Sequence, residues 1–190
     1  MGNIQLLIKE VVEQGPFINN VSKTYLLAKR VLDIVVSLMA VVLLSPVLIQ
    51  IAIRIKISSR GPVLLTRERY GLRGMRFKTF EFVPMVKGHY IRRLPLLFNV
   101  LKGNLSIVGP QPTPLCELEK VDVWYYLRMS VKPGITGLWQ VRGKCGEVNE
   151  IVRLDLKYIR ERSLLYDMRI ILTAIHLLIS KWRASGKQKQ

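Results

Sequence analysis

The 30 Lys and Arg residues stand against 13 Asp and Glu, a formal net charge of +17. The groups best supplied for chemistry are therefore cations, and that chemistry is recognition of phosphate or of an anionic surface. Other kinds of centre are thinly provided. Cys116 and Cys145 are the only cysteines; far apart and without ligand-type spacing, they signal neither a disulfide framework nor a zinc site and read as plain thiols. His89 and His176 are isolated and read as structural residues. Nucleic acid would also attract positive charge. Here the charge is scattered along the chain, with no zinc-finger spacing, no heptads behind a basic region and no aromatic stacking signature, which argues against a nucleic-acid partner. The chain is also 49% hydrophobic. Apolarity combined with positive charge suits a protein held against anionic lipid, with apolar side chains in the acyl region and basic ones at the headgroups.

The hydrophobic pattern says what must position these groups. At 190 residues the chain can bury one proper core plus whatever sits in a membrane. Residues 34–53, IVVSLMAVVLLSPVLIQIAI, are uncharged and long enough to span a bilayer, which takes about 20 residues. The segment starts far from Met1 and no small-residue cleavage site follows it, so it reads as retained. Ser45-Pro46 lies near its middle, where proline removes a backbone donor and forces a kink. Lys23, Lys29 and Arg30 precede it while Arg54, Lys56 and Arg60 follow, pulling both ends toward the cytoplasm. A helix that enters, breaks at Ser45-Pro46 and returns satisfies both pulls, with Asp33 and Lys29 or Arg30 at the interface. A kinked spanning helix is the alternative.

Upstream, residues 4–12 read as a weak helix, followed by turns at Gly15-Pro16 and Asn19-Asn20. Downstream, strands are expected over 63–66 and 77–82, paired as a small hairpin around Gly71-Leu72-Arg73-Gly74. Leu94, Leu97, Phe98 and Leu101 make a helical stripe stopped by Gly103-Asn104. Gly109-Pro110-Gln111-Pro112 and Lys132-Pro133-Gly134 are rigid turns. From Glu150 the pattern is helical, with a break near Ser163 and a final stripe of Met168, Ile171, Ile175, Leu178 and Trp182. Two readings fit that last helix: a core helix, or an interfacial anchor with Trp182 at headgroup level. The expected fold class is α+β, mainly helical. Its divisions are an extension over 1–28, a re-entrant membrane helix over 29–57, a globular domain over 58–183 and a disordered tail over 184–190.

In order and spacing these pieces resemble the bacterial sugar transferase family, the monotopic polyprenol-phosphate phosphoglycosyl transferases. The resemblance runs from Lys29 to Trp182. It is carried by Lys29-Arg30-Val31-Leu32-Asp33, Ser45-Pro46, Gly61-Pro62-Val63, Arg67-Glu68-Arg69-Tyr70-Gly71, Leu94-Pro95-Leu96-Leu97-Phe98-Asn99-Val100, Ser106-Ile107-Val108-Gly109-Pro110, Lys132-Pro133-Gly134-Ile135-Thr136-Gly137 and Leu154-Asp155-Leu156-Lys157-Tyr158. The resemblance implies a re-entrant helix at the cytoplasmic face of the inner membrane. It also implies transfer of a sugar 1-phosphate from a nucleotide diphosphate sugar to polyprenol phosphate, with Mg²⁺ assisting, as the start of a surface polysaccharide or glycoconjugate. An Asp of an Asp-Glu pair would be the nucleophile. The substrate-binding candidates it offers are Arg69, Lys78, Lys102 and Lys132, with Gly109, Pro110, Pro112 and Gly134 shaping the turns.

The chain departs from the pattern at one decisive place. The family's Asp-Glu pair stands immediately before the Leu-Pro that begins the Phe-Asn-Val helix, and here Leu94-Pro95 follows Ile91-Arg92-Arg93. Either the pair has become Arg92 and Arg93, or a short stretch carrying it is deleted. Both leave no carboxylate at the nucleophile position, and a guanidinium cannot replace one. Glu81 also stands where the family has Lys, Val83 where it has Arg, and Gln111 where it has the Arg of Pro-Arg-Pro. Glu81 or Glu68 could substitute as nucleophile, although a lone strand carboxylate is more often a solvated surface group. The alternative function is a catalytically inactive paralogue that binds polyprenol phosphate or partners an active transferase. A homo-oligomer would fit either reading.

Overall fold

The computed structural model describes residues 22–59, 61–86, 89–114, 127–142 and 148–187. The expected helix over 4–12, Cys116, Cys145 and the side chains of His89 and Trp182 lie outside the described residues and side chains. The first element is α1, Lys23–Ser58, 36 residues long. That is roughly 54 Å at the usual helical rise. Ser22 caps it by accepting the Thr24 N–H at 3.2 Å. The helix starts before residue 29 and runs on through Pro46, so the expected break at Ser45-Pro46 is absent. The reason is local. Pro46 has no N–H to give the carbonyl of Val42, and the Ser45 hydroxyl supplies the missing donor at 2.8 Å.

A hairpin follows, β1 at Leu64–Tyr70 and β2 at Arg76–Phe82, with Leu65 opposite Glu81, Arg67 opposite Thr79 and Glu68 opposite Lys78. Its turn is tightened by Gly71 donating its N–H to Met75 O at 2.8 Å. Short helices α2, His89–Arg92, and α3, Leu96–Lys102, come next. Gly103 stops α3 in the left-handed conformation, φ 92°, which glycine adopts at low cost. Strand β3, Ser106–Val108, pairs in parallel with β5, Gly134–Thr136, while β4, Thr113–Pro114, joins the free edge of β1. Helices α4, Leu138–Arg142, α5, Val148–Glu161, and α6, Leu164–Lys187, complete the chain. The last runs into the stretch expected as a tail. The result is mixed helix and sheet, mostly helical.

One apolar core holds these pieces. Leu96 and Val100 of α3, Leu105, Val108 of β3, Tyr158 of α5 and Ile170 of α6 are buried together, with Leu32 and Val36 of α1 against them. Asn99 is the polar exception: fully buried, it accepts the Phe80 N–H at 3.0 Å and donates to Lys78 O at 2.7 Å, so α3 satisfies the outer edge of β2.

The basic motif at the start of α1 faces this body. The Arg30 guanidinium donates to Val100 O at 2.6 Å and Leu101 O at 2.9 Å at the end of α3, where Val100 O also accepts the Gly103 N–H at 2.9 Å. Asp33 is buried; its Oδ1 accepts from Ser106 Oγ at 3.0 Å and Ile107 N at 2.9 Å. At the other end, Leu48 and Ile55 pack with Phe82 and Val83. Both ends of α1 are thus fastened to one globular body, while Leu38, Val42, Leu43 and Ile49 between them are exposed.

Candidate functional site

Period-two alternation along the hairpin builds a cationic pocket. Arg67 and Arg69 share a face of β1, and the register puts Thr79 and Glu81 of β2 on that same face. Arg92 and Arg93, Gln111 and Pro112 close a cavity of about 140 Å³ around them. Four guanidinium groups therefore line it against one described carboxylate, Glu81. The Arg92 Nη2 to Glu81 Oε2 distance is 3.8 Å, a loose contact, and the Arg92 Nε is buried without a hydrogen-bond partner. A buried donor left open beside three more guanidiniums suits an oxyanion, which can take several charge-assisted hydrogen bonds at once.

A second, apolar cavity of about 430 Å³ adjoins it. Val36, Ala40 and Leu44 of α1 form one wall, Ile171, Ile175 and Leu178 of α6 the other, and Arg93 lines both cavities. An apolar slot leading to a cluster of arginines matches an amphiphile with a phosphate head.

Comparison with known proteins then fixes the kinship. The profile of the family described as bacterial sugar transferase matches residues 24–90 and 86–181. The chain belongs to the bacterial sugar transferase family. Among its relatives, the UDP-glucose:undecaprenyl-phosphate glucose-1-phosphate transferase of Escherichia coli is 36% identical over 183 residues, covering 78% of this chain and 39% of that protein. The protein of the same name from Caulobacter vibrioides is 32% identical over 81% of this chain and 70% of its own length. A UDP-N-acetylgalactosamine-undecaprenyl-phosphate N-acetylgalactosaminephosphotransferase of Aeromonas hydrophila is 29% identical over 86% and 46%. The chain thus spans about two fifths of the E. coli relative. Helix α1 is the one described helix long and apolar enough to cross a membrane, which together with the family points to membrane association.

The family's candidate residues part company in space. Arg69 and Pro112 meet in the arginine pocket. Lys78 pairs with Glu68 on the opposite face of the hairpin, and Lys102 lies over the Phe80 ring at 4.7 Å. Lys132 lines a different cavity, with Lys29 and Arg30. Gly109, Pro110 and Gly134 line none of these cavities; Pro110 is buried, and the two glycines permit the close β3–β5 approach. A Cβ on Gly134 would fall 2.1 Å from Gly109 N, which no side chain tolerates. Glu81 is no surface group: its side chain is 13% exposed and faces the arginines, whereas Glu68 is solvated. Arg67 was missed as a candidate, although the alternation of Arg67-Glu68-Arg69 already puts the two arginines on one face.

A family Mg²⁺ would need oxygen ligands, in practice one or two carboxylates together with substrate phosphates. Among the described residues no cluster of three acidic, His or Cys side chains exists, and the pocket's single carboxylate is faced by four guanidiniums. That described donor set does not fit a divalent cation.

Proposed function

We propose that this chain is the transferase unit that moves a sugar 1-phosphate from a nucleotide diphosphate sugar to a polyprenol phosphate, at the cytoplasmic face of a bacterial inner membrane, to start a surface polysaccharide or glycoconjugate. The observation that carries this is the junction at Arg93 of the arginine pocket with the apolar cavity. The phosphates of either substrate occupy the arginine pocket, and the isoprenoid chain lies along α1 and α6. In this reading α1, bent at Pro46 rather than broken there, dips into the membrane over 29–57 and returns, leaving 58–183 in the cytoplasm; the fastening of both its ends to one body supports this. In this reading a Glu81 oxygen attacks the β-phosphorus, the bond to the bridging oxygen breaks, and nucleoside monophosphate leaves. The polyprenol phosphate oxygen then displaces Glu81 from phosphorus. Four arginines offset the charge on the transferring group throughout.

A second reading, binding without transfer, has its own support. Arg92 and Arg93 precede Leu94-Pro95, and the family match falls into two pieces that meet at 86–90, where a stretch carrying the nucleophile would belong. The separating experiment incubates the purified chain with labelled nucleotide sugars and polyprenol phosphate, with intact-protein mass spectrometry in parallel. Label in the lipid, lost in Glu81→Gln, establishes transfer through Glu81. Polyprenol phosphate binding with neither adduct nor transfer, and activity gained on inserting Ser-Leu-Asp-Glu before Leu94, establishes the second reading.

A further inference from the structure

The cavity left unused by that function lies where the start of α1 meets the globular body. It holds about 400 Å³ and is lined by Lys29, Arg30, Arg73, Lys132 and Arg162, with Asp33 as its acidic group. It shares no lining residue with the arginine pocket or the apolar cavity. Several of its charges are already committed. Lys29 pairs with Asp167 at 2.8 Å, Arg30 donates to the carbonyls of Val100 and Leu101, and Asp33 accepts from Ser106 and Ile107.

Those commitments leave a surplus. Among the described residues Arg73, Lys132 and Arg162 have no carboxylate partner, and the Arg162 Nε is buried with no hydrogen-bond partner. Burial pushes the Lys132 ammonium down from its usual range, the positive charges of Arg30 and Lys29 add to the effect, and the Asp33 carboxylate opposes it. Burial likewise lowers Arg162. Arg73 is the one described non-glycine residue with positive φ, 55°, and is held there by its N–H donating to Met129 O at 2.8 Å. A bulky side chain in that region is uncommon and costs energy that the surroundings must supply. Asp33 and Asp167 offset part of the charge on Lys132 and Arg162 from a distance, but no described carboxylate reaches ion-pair distance of these three cations, and a partly buried cluster of this kind is costly unless an anion joins it.

We infer that this cavity is a second anion site, which binds the phosphate of a headgroup or a free phosphate at the point where α1 leaves the globular body. Two forked guanidiniums and an ammonium give the donor geometry that phosphate oxygens accept. Leu26 lines the cavity and is exposed, as is Leu27 beside it, so the mouth borders the apolar exterior of α1. A phospholipid reaching it could keep its acyl chains on that exterior.

The test uses the full chain in an uncharged detergent and, in parallel, on phosphatidylcholine vesicles with and without phosphatidylglycerol. Titration calorimetry reads binding of inorganic phosphate and of short-chain phosphatidylglycerol. In a background of Arg67→Gln and Arg69→Gln, binding should persist, and adding Lys132→Gln with Arg162→Gln should weaken it about tenfold. The exposed Arg73→Gln alone should weaken it by several fold, which keeps the test decisive if the double variant folds poorly. Lys132→Arg with Arg162→Lys should retain binding. Loss of short-chain lipid binding together with loss of preference for phosphatidylglycerol vesicles identifies a headgroup. Loss of inorganic phosphate binding with no vesicle preference identifies the free ion. Unchanged binding of both probes in the folded Lys132→Gln, Arg162→Gln and Arg73→Gln variants, or binding abolished by Arg67→Gln and Arg69→Gln alone, overturns the site.

Discussion

The Lys29 ammonium lies 2.8 Å from the Asp167 carboxylate, closing the start of α1 onto the first turn of α6. Asp167 is fully buried and also receives Tyr158 Oη at 2.7 Å and Tyr25 Oη at 3.1 Å. Removing one partner of such a pair strands the other in a dry site, which typically costs 3–5 kcal/mol. Asp167→Ala should therefore destabilise the protein by about 3 kcal/mol, read as a lower urea midpoint with unchanged slope. A shift under about 1 kcal/mol would mean that α1 is held by its other contacts alone.

Asp155 gives a pH signature. Arg128 Nε stands 2.9 Å from its Oδ2, a buried ion pair. Burial outweighs the attraction of Arg128 and pushes the Asp155 carboxyl up to about 6. Between about pH 4 and that value the native protein holds a proton the unfolded chain has released, so stability falls as pH rises. The fall should amount to roughly 2–3 kcal/mol and level off above it. Denaturation midpoints measured across this window should show the slope, and Asp155→Asn should flatten it.

Ser45 and Pro46 should be energetically coupled. With Pro46 present, Ser45→Ala leaves the Val42 carbonyl without its donor at 2.8 Å and should cost about 1 kcal/mol. In a Pro46→Ala background the restored backbone N–H takes over, and the same change should cost close to nothing. A double-mutant cycle on thermal unfolding in detergent reads the difference. Additive effects would show that the hydroxyl does not stand in for the missing N–H.

The proposed re-entrant topology is supported by the two anchors of α1, Asp33 on β3 and Ile55 beside Phe82 and Val83, and can be tested directly. Single cysteines at positions 23 and 60 should both resist a membrane-impermeant reagent in intact cells and both react after lysis. Labelling of only one in intact cells would make α1 a spanning helix.

The backbone contact between Gly134 and Gly109 admits no Cβ. Gly134→Ala should part β3 from β5, lose the folded state at ordinary growth temperature and show as protease sensitivity. Gly61→Ala, which meets only the Ser59 side chain, should be tolerated.

Much of this was legible in the residues, because it depends on local periodicity and on order along the chain. The apolar run over 34–53, the hairpin around Gly71-Leu72-Arg73-Gly74, the α3 stripe stopped at Gly103 and the break near Ser163 all follow from spacing, turn chemistry or capping. The ordered motifs also identified the family, and the absent Asp-Glu pair is a fact of sequence. What tertiary structure alone decided is where side chains distant in sequence meet. Ser45 replaces the donor that Pro46 removes, so a predicted break became continuous helix. Glu81 looked like a surface carboxylate until packing set Arg92 and Arg93 against the hairpin face it shares with Arg67 and Arg69. Arg30 and Asp33 looked like interfacial charges, yet they satisfy backbone groups of α3 and β3 about 70 residues away, because a buried N–H or carbonyl must find a partner wherever the fold brings one.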